Sequence, residues 1–450
     1  MADILALPVV QSLSLNPISP DAAVMEGLAS RSPDWLAALR RASWERAKRI
    51  PFPNSKEEHW RYTELALLKP EQYETRGIEA AESLPGRMPD EAQAMLRAAG
   101  APSAGQLLQG NGVLYQETLS AEAARKGVVF TSIEHALVEH DELLRSRLGS
   151  LVGADDFFAA RSLALHRGGA FLYVPRGVEL DAPFQMLSSL SLGGMAFYPR
   201  NIVVVEEGAR ILFHDLYTSP QPLRPTFVAP VTEIYLGQGA NMGWVTWQGC
   251  GGGVRYLARS KVHLSRNAVL NTLLVALGAD FSRSWLEVLL AEEGAESVML
   301  GLCFPQGRQE MEHWTVQDHQ APRTRSDLMY KGALAGESRS IYYGTIRVRP
   351  GARKTDAYQV NRNLLLSLGA NAETNPQLEI ANNDVRCTHG ASVGPIDELQ
   401  LFYLRSRGIP REEAERLIVL GFFNEVLERA QWSKLSDQLA RAIRAKAGDR

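Results

Sequence analysis

The feature that most constrains the fold of this chain is a unit that recurs through its middle. Each copy consists of a strand-like apolar run, a turn that ends in Gly-Ala, and a second apolar run. Asn267 replaces the glycine in a weaker copy, and asparagine also enters the left-handed backbone region that a tight turn requires. The complete copies are centred on Gly208-Ala209, Gly239-Ala240, Gly278-Ala279, Gly294-Ala295, Gly351-Ala352 and Gly369-Ala370.

One such unit cannot bury its apolar face alone, so neighbouring units must stack on it and share a continuous core. A β-sandwich or a series of hairpins would also consist of many short strands. Hairpin turns of the Asn-Gly or Asp-Gly type are nearly absent, however, and so are the helices that connect strands in βαβ units. The pattern therefore predicts a mainly β chain with a parallel β-helix, or solenoid, as its core.

Helical patterns flank this core on both sides. We expect a mainly helical N-terminal domain over residues 1–162, the β-helix over residues 163–394 and a helical C-terminal domain over residues 395–450. Within the N-terminal domain, the spacing of apolar residues among Ala, Glu and Arg predicts helices over residues 22–28, 34–48, 89–99 and 132–148.

The predicted C-terminal domain begins at Asp397, which can cap a helix that ends at Gly408. Pro410 then stands where a second helix can begin. Together these helices carry more aromatic side chains than so small a domain needs to bury. Core packing explains most of them, and for the remainder core packing and a docking face for a partner protein are equal alternatives. The candidates for that face are Leu399, Phe402, Tyr403, Leu417 and Phe422.

The composition excludes several classes of protein. Of the 450 residues, 45% are hydrophobic and 22% are charged, and the formal net charge is -3. This near-neutral balance gives no basic surface for nucleic acid or an anionic membrane. No apolar run approaches the ~18 residues of a membrane-spanning helix, and residues 1–20 make a poor signal peptide because no basic leader precedes their apolar stretch. Three cysteines cannot form a disulfide framework, so we expect a cytoplasmic protein.

The leading chemical pair is Cys387 and His389. If this segment is extended, the two side chains project from the same face, with Cα atoms about 6.6–6.8 Å apart. A thiolate and an imidazole at that separation can both lean toward one soft metal. Two ligands do not complete a tetrahedral site, so any remaining ligands would come from elsewhere in the chain or from a partner.

Other interpretations of this pair stay open on the residues alone. Cys387 can be a small buried hydrophobe beside a histidine that is bonded to backbone carbonyls. A Cys/His nucleophile pair would need an orienting group and oxyanion donors, and the sequence identifies neither. Cys303 lies in an apolar run and is predicted to be in the core, and Cys250 is more readily structural than a ligand. No phosphate-binding GxxxxGK[ST] or GxGxxG motif is present, so any ATP would be bound by another chain.

Several segments resemble a known family. The N-terminal segment Lys56–Leu68 reads KEEHWRYTELALL, and the region from His313 to Arg407 contains HWTVQDHQAPRTRSD, GTIRVRPGARKTDAYQVNRNLLLS, NPQLEI and NDVRCTHGASVGPIDELQLFYLRSRGI. On these motifs the chain resembles the SufD branch of the SufB/SufD family, the scaffold subunits of the SUF iron–sulfur cluster assembly machinery.

This resemblance implies a right-handed parallel β-helix between helical terminal domains, in agreement with the repeats. It implies a non-enzymatic scaffold whose partners are a SufB-like scaffold and a SufC-like ABC-type ATPase, the latter docked on the C-terminal helices. The family's motif histidine corresponds to His389 and its cysteine to Cys387, beside a transient cluster or iron shared with the SufB-like partner.

Two rival functions remain at this point. A SufB-like primary scaffold is one, although such chains carry Glu after the motif histidine, where Gly390 stands here. A β-helix enzyme is the other, and it would need an acid/base cluster that the sequence does not display. A homodimer of the isolated chain also stays an alternative to the heteromeric complex.

Overall fold

A computed structural model describes residues 20–75, 90–98, 102–219, 223–430 and 433–448. The segment identified as a poor signal peptide lies outside these ranges except for its last residue. The α-helices are α1 Pro20–Ala29, α2 Asp34–Arg49, α3 Asp90–Ala98, α4 Ala121–Arg125, α5 Ile133–Glu139, α6 Asp141–Arg145, α7 Phe157–Leu165, α8 Glu398–Ser406, α9 Arg411–Arg429 and α10 Ser433–Gly448. Short 3-10 helices cover Glu58–Trp60, Leu65–Leu68 and Pro70–Gln72.

Strands make up the middle of the chain. In order they are β1 Glu74–Thr75, β2 Gly105–Gly110, β3 Val113–Leu119, β4 Val129–Ser132, β5 Ala170–Val174, β6 Phe184–Ser189, β7 Met195–Phe197, β8 Arg200–Val205, β9 Arg210–Thr218, β10 Thr226–Val228, β11 Val231–Leu236, β12 Asn241–Gly249, β13 Val254–Leu264, β14 Val269–Ala276, β15 Phe281–Leu290, β16 Glu296–Cys303, β17 Glu310–His319, β18 Arg325–Leu334, β19 Arg339–Val348, β20 Asp356–Leu365, β21 Asn371–Ile380 and β22 Arg386–Pro395.

The strands form a β-solenoid of about 8 turns, with helices toward both ends of the chain. From β11 onward, each strand pairs in parallel with the strand two places along the chain, so odd-numbered strands build one sheet and even-numbered strands the other. Side chains at equivalent positions therefore stack in ladders, such as Ile234 on Val262 and Val262 on Val288. These three are buried in the aliphatic interior between the sheets. The predicted mainly β, solenoid fold is confirmed.

The Gly-Ala pairs lie at one corner of the solenoid in several of its turns. Gly208, Gly239 and Gly294 have φ between +64° and +74°, and Asn267 has φ of +54°. The alanine that follows each of them is fully buried. The predicted equivalence of asparagine and glycine at this turn is confirmed.

Gly278 has a different role from Gly208, Gly239 and Gly294. Its φ is not positive, and Ala279 adopts the left-handed conformation instead, at +65°. A Cβ atom at residue 278 would lie 2.0 Å from the carbonyl oxygen of Cys250 in the neighbouring turn. Glycine is therefore required at residue 278 because the backbone of the neighbouring turn lies close to it, and not because its φ is positive.

We expect Gly278→Ala to lower the free energy of unfolding by about 1–3 kcal/mol, because the added methyl group meets backbone that cannot move aside. Gly351→Ala is the matched control: it has open space around it and no positive φ, so it should be neutral or slightly stabilising. Urea denaturation of both variants measures the difference. Equal stability of the two variants would contradict the assigned close approach.

The N-terminal part contains strands that the sequence did not predict. Strand β2 pairs antiparallel with β3 and parallel with β6, and β4 pairs antiparallel with β5. These strands extend both sheets at the N-terminal end of the solenoid, where they cover its first turn. The predicted helix over residues 132–148 is present as two shorter helices, α5 and α6.

The C-terminal helices begin as predicted. The Asp397 side chain accepts a hydrogen bond from the Leu399 backbone N–H at 2.8 Å, Gly408 has φ of +83°, and α9 follows Pro410. Helix α9 packs on the outer face of the even-numbered sheet, with Phe423 against Phe304 at 6.2 Å between ring centroids. None of the described helices is long and apolar enough to cross a bilayer.

Two histidines of β17, His313 and His319, are buried. His319 contacts the Thr324 and Ser326 hydroxyls at 2.8 Å from its two ring nitrogens, and His313 lies edge-on to Tyr330. Burial lowers the pKa of each histidine to about 4. Both imidazoles are therefore neutral structural groups of the core at neutral pH.

This burial makes stability depend on pH. In the unfolded chain a histidine becomes protonated below about pH 6.5. In the folded protein His319 becomes protonated only near pH 4. The stabilisation is thus complete above pH 6.5 and is lost as the pH falls toward 4. His319→Gln should reduce the loss of unfolding free energy between pH 7 and pH 5.5 by about 1.2 kcal/mol, measured by urea denaturation. An unchanged pH slope would contradict the neutral assignment.

Candidate functional site at the last turn of the solenoid

The segment that carries Cys387 and His389 is the last strand of the solenoid. Strand β22 pairs with β20 in parallel and is the terminal strand of its sheet, as β21 is of the other. The extended conformation that the predicted geometry requires is therefore present. The outward edges of β21 and β22 have no neighbouring strand among the described residues.

The register puts both side chains above the interior of the preceding turn. Cys387 stacks on Ala357 and His389 on Gln359, and both of these β20 residues are buried. Cys387 is half-buried against the small cluster that includes Ala357 and Ile346, whereas His389 is exposed. The alternation of the strand thus presents a shielded thiol and an accessible imidazole on one face.

The layer beneath His389 is polar. Gln359 donates hydrogen bonds to the carbonyl oxygens of Gly344 and Gln377 and accepts one from the Tyr342 hydroxyl at 3.3 Å. Tyr342 also contacts the Thr315 hydroxyl at 3.1 Å. The interior therefore changes from aliphatic in the middle of the solenoid to hydrogen-bonded at its end, which fixes the surface on which His389 lies.

The three cysteines differ in their readiness to bind metal. Burial, and secondarily the Asp356 carboxylate, raises the pKa of Cys387, so its thiolate needs a nearby cation to form. Cys250 and Cys303 are almost fully buried, and burial raises the pKa of Cys303 to about 12. The core location predicted for Cys303 is confirmed, and the alternative ligand role for Cys250 has no support in its burial.

No metal site is complete within this chain as far as the structure describes it. Across the described ranges, no three His, Cys, Asp or Glu side chains come together in a way that could hold a metal ion. Cys387 and His389 provide two donors, and a tetrahedral metal needs four. The last turn can therefore bind a metal or cluster only with ligands from outside the described residues.

The end of the solenoid has the properties of an interface. Unpaired strand edges invite pairing with another chain. Apolar side chains are also exposed on the last strands, namely Tyr358, Leu378, Ile380 and Val393.

The predicted docking residues separate into two groups. Leu399, Phe402 and Tyr403 of α8 and Leu417 of α9 are exposed, with Phe402 at 70% of its full accessibility. Phe422 is half-buried against the solenoid, beneath the Lys331 ammonium at 4.7 Å from the ring centroid. The exposed group forms an apolar surface, which we call the α8 face, and Phe422 belongs to the packing under α9.

Polar contacts join α9 to the strands that lead to the site. Lys331 of β18 donates to the Phe422 carbonyl oxygen at 2.7 Å and pairs with Glu425 at 2.5 Å. Glu425 also pairs with Arg362 of β20 at 3.4 Å. Because β20 is the hydrogen-bonded neighbour of β22, these contacts connect α9 to the strand next to Cys387 and His389.

Comparison with known proteins agrees with this architecture. Residues 188–422 match the family described as "SUF system FeS cluster assembly, SufBD core domain", and residues 23–186 match the SufBD protein N-terminal region. The chain belongs to the SufBD family of iron–sulfur cluster assembly proteins.

Individual relatives cover most of the chain. It is 28% identical over 399 residues to an iron–sulfur cluster assembly SufBD family protein of Staphylococcus aureus strain USA300, an alignment that covers 87% of this chain and 84% of the relative. A SufBD family protein of Staphylococcus epidermidis is 29% identical over 357 residues, which cover 78% and 77% of the two chains. The family assignment therefore extends across both the N-terminal region and the solenoid.

Sequence reasoning did not identify the groups that support the SufBD site. No sequence motif marks Gln359, Tyr342 and Arg362. They lie near the site only because strands of neighbouring turns pair in a fixed register. Aligning β20 with β22 as consecutive copies of the strand unit would have put Gln359 opposite His389.

Proposed function

We propose that this SufBD protein is a non-catalytic scaffold subunit that acts in the SufD role. In this proposal an iron–sulfur cluster is assembled between its last turn and a paralogous SufB-like scaffold. The open edges of β21 and β22 beside Cys387 and His389 support this most directly, because two donors at an unpaired edge require ligands from a second chain. The cluster or its iron is then transient cargo shared by the two scaffolds.

The proposed second partner is a SufC-like ABC-type ATPase, which supplies ATP hydrolysis to a complex that assembles in the cytoplasm. The α8 face supports this part of the proposal, because a contiguous apolar surface on a helix suits docking. Movement of the ATPase would act on α9 and, through Glu425 and Arg362, on the strand beside the site, which is the coupling that an ATP-driven rearrangement needs.

Co-purification with candidate SufB-like and SufC-like proteins tests both partners. We expect Phe402→Ser combined with Tyr403→Ser to weaken ATPase binding about tenfold or more, since exposed aromatic side chains commonly dominate interfaces. Binding of the SufB-like scaffold should not change. Removing residues 396–450 is a less specific test, because it would also uncover the apolar face beneath α9.

Val138→Ser is the matched control, because Val138 is an apolar side chain that is 83% exposed at the other end of the molecule. It should leave ATPase binding unchanged. Full ATPase binding by the doubly substituted α8 variant would refute docking at this face. Failure of the wild-type chain to bind a SufB-like scaffold under anaerobic conditions would refute the shared site.

A further inference from the structure

A second candidate site lies far along the chain from Cys387, on the outer face of the odd-numbered sheet. A cavity of about 260 Å³ opens between that sheet, the start of α7 and the 3-10 helix Glu58–Trp60. Its apolar walls include Trp60, Phe158, Leu257 and Trp285. Seven of its fifteen lining residues are polar or charged, among them Asp155, Arg259 and Arg283. Aromatic walls with convergent polar groups are a usual form of a small-molecule site, and this volume suits a ligand smaller than a typical drug.

The walls are held firmly in place. Trp285 stacks on Trp314, and Trp314 stacks on Tyr343 at 3.9 Å between centroids, so the three rings form a ladder across successive turns. Arg283 also lines the cavity; it is buried, lies 3.8 Å from the Trp60 ring centroid and is already paired with Glu312 at 3.0 Å. The aromatic wall is therefore part of the solenoid itself.

The cavity has two partly satisfied charges of opposite sign. The Arg259 guanidinium lies over Trp285 and uses Nη1 to pair with Asp156, while its Nε and Nη2 have no partner in the described part of the chain. Asp155 is exposed and lines the same cavity, and no described residue lies within hydrogen-bonding or ion-pair distance of it. Its carboxylate acts on Arg259 through space: burial lowers the pKa of Arg259, and the charges of Glu287 and then Asp155 oppose that effect. The neighbouring Asp156 is already engaged, because it also caps α7 through the Ala159 backbone N–H at 2.8 Å.

The other titratable lining groups do not alter this pairing. Glu57 accepts hydrogen bonds from the backbone and side chain of Asn54. Burial, and then the positive charge of Arg283, lowers the pKa of His59, so His59 is neutral at pH 7. The cavity thus offers an anion-binding guanidinium and a cation-binding carboxylate beside an apolar volume.

We propose that this cavity binds a free α-amino acid with a large apolar side chain. The ligand's carboxylate accepts hydrogen bonds from Arg259, its ammonium group donates to Asp155, and its side chain lies against Trp60, Phe158 and Trp285. A simple organic acid would leave Asp155 unpaired beside its own negative charge. A simple amine would leave the free donors of Arg259 unpaired, and partly desolvated charges without partners are costly.

Calorimetric titration of the full-length chain with three probes tests this proposal. L-Phenylalanine, 3-phenylpropionate and 2-phenylethylamine share one ring and differ only in charge. We expect L-phenylalanine to bind at least about tenfold more tightly than either analogue, a difference of about 1.4 kcal/mol. This readout requires no cluster and no partner, so its result is independent of the proposed scaffold function.

Asp155→Asn should weaken L-phenylalanine binding about tenfold and leave 3-phenylpropionate binding no weaker. Because Asp155 is exposed and unbonded, the variant should keep the wild-type melting temperature. Asp181→Asn, at an exposed surface ion pair, is the matched control and should change neither. Equal affinity for all three probes, tighter binding of either singly charged analogue, or no binding of L-phenylalanine at about 5 mM, several-fold above a millimolar Kd, would each overturn the proposal.

Discussion

His389→Ala is expected to leave the scaffold complex assembled and to lower the amount of cluster formed on it about tenfold or more. Removing a residue that only supports a metal ligand typically lowers metal affinity or activity 10–100-fold. His389 is proposed as a direct ligand, so its removal should have at least this effect. The side chain is exposed at the end of the solenoid, so its removal should change the free energy of unfolding by less than about 0.5 kcal/mol. Iron and sulfide analysis after anaerobic reconstitution of the purified complex measures the effect.

Two further variants make this result specific. His135→Ala removes an exposed histidine of α5 and should leave cluster yield unchanged. Cys387→Ala should lower the yield less than His389→Ala, because the raised pKa of Cys387 makes it the poorer donor until a metal is already present. Full cluster yield from the His389→Ala complex would exclude this histidine from cluster assembly.

The solenoid was predictable because its signal is local and repeated. The left-handed turns at Gly208, Gly239 and Asn267 need only the residues within the turn, so glycine or asparagine before alanine reports them directly. Gly278 shows the limit of that reasoning. Its closeness to the Cys250 carbonyl is a contact between turns, and no residue near it in sequence carries that information.

The strands β2, β3 and β4 were missed for a similar reason. They are short, and their pairing with β6 and β5 joins segments that are distant in sequence. Tertiary contacts therefore override a weak local preference. The first turn of the solenoid could be recognised only once the sheets it completes were known.

The two candidate metal donors could be predicted from the sequence, but the packing of the helices around the site could not. Alternation along one strand is enough to bring Cys387 and His389 to the same face, and β22 is that strand. In α9, by contrast, apolar residues occur on several sides of the helix. The structure buries Val419 and Phe423 and leaves Leu417 exposed, because contact with the sheet, rather than helical spacing alone, decides which side packs.

Glu233→Gln is expected to destabilise the protein by about 3–5 kcal/mol, the range for removing one partner of a buried ion pair. Glu233 and Arg200 are both completely buried where the N-terminal region meets the solenoid. Glu233 also accepts hydrogen bonds from the backbone N–H groups of Gly149, Leu151 and Val152 at 2.8–3.1 Å. Urea denaturation followed by circular dichroism measures the loss.

The substitution separates charge from shape, because glutamine has nearly the same volume and can still accept from these amides. Arg200 would keep a buried charge whose neutralising partner has gone. Adding Arg200→Met to Glu233→Gln should therefore recover part of the lost stability, since it removes that uncompensated charge. Asp181→Asn, at an exposed ion pair, should cost less than about 1 kcal/mol. If Glu233→Gln cost no more than this control, the buried carboxylate would not be a significant source of stability at the junction of the N-terminal region and the solenoid.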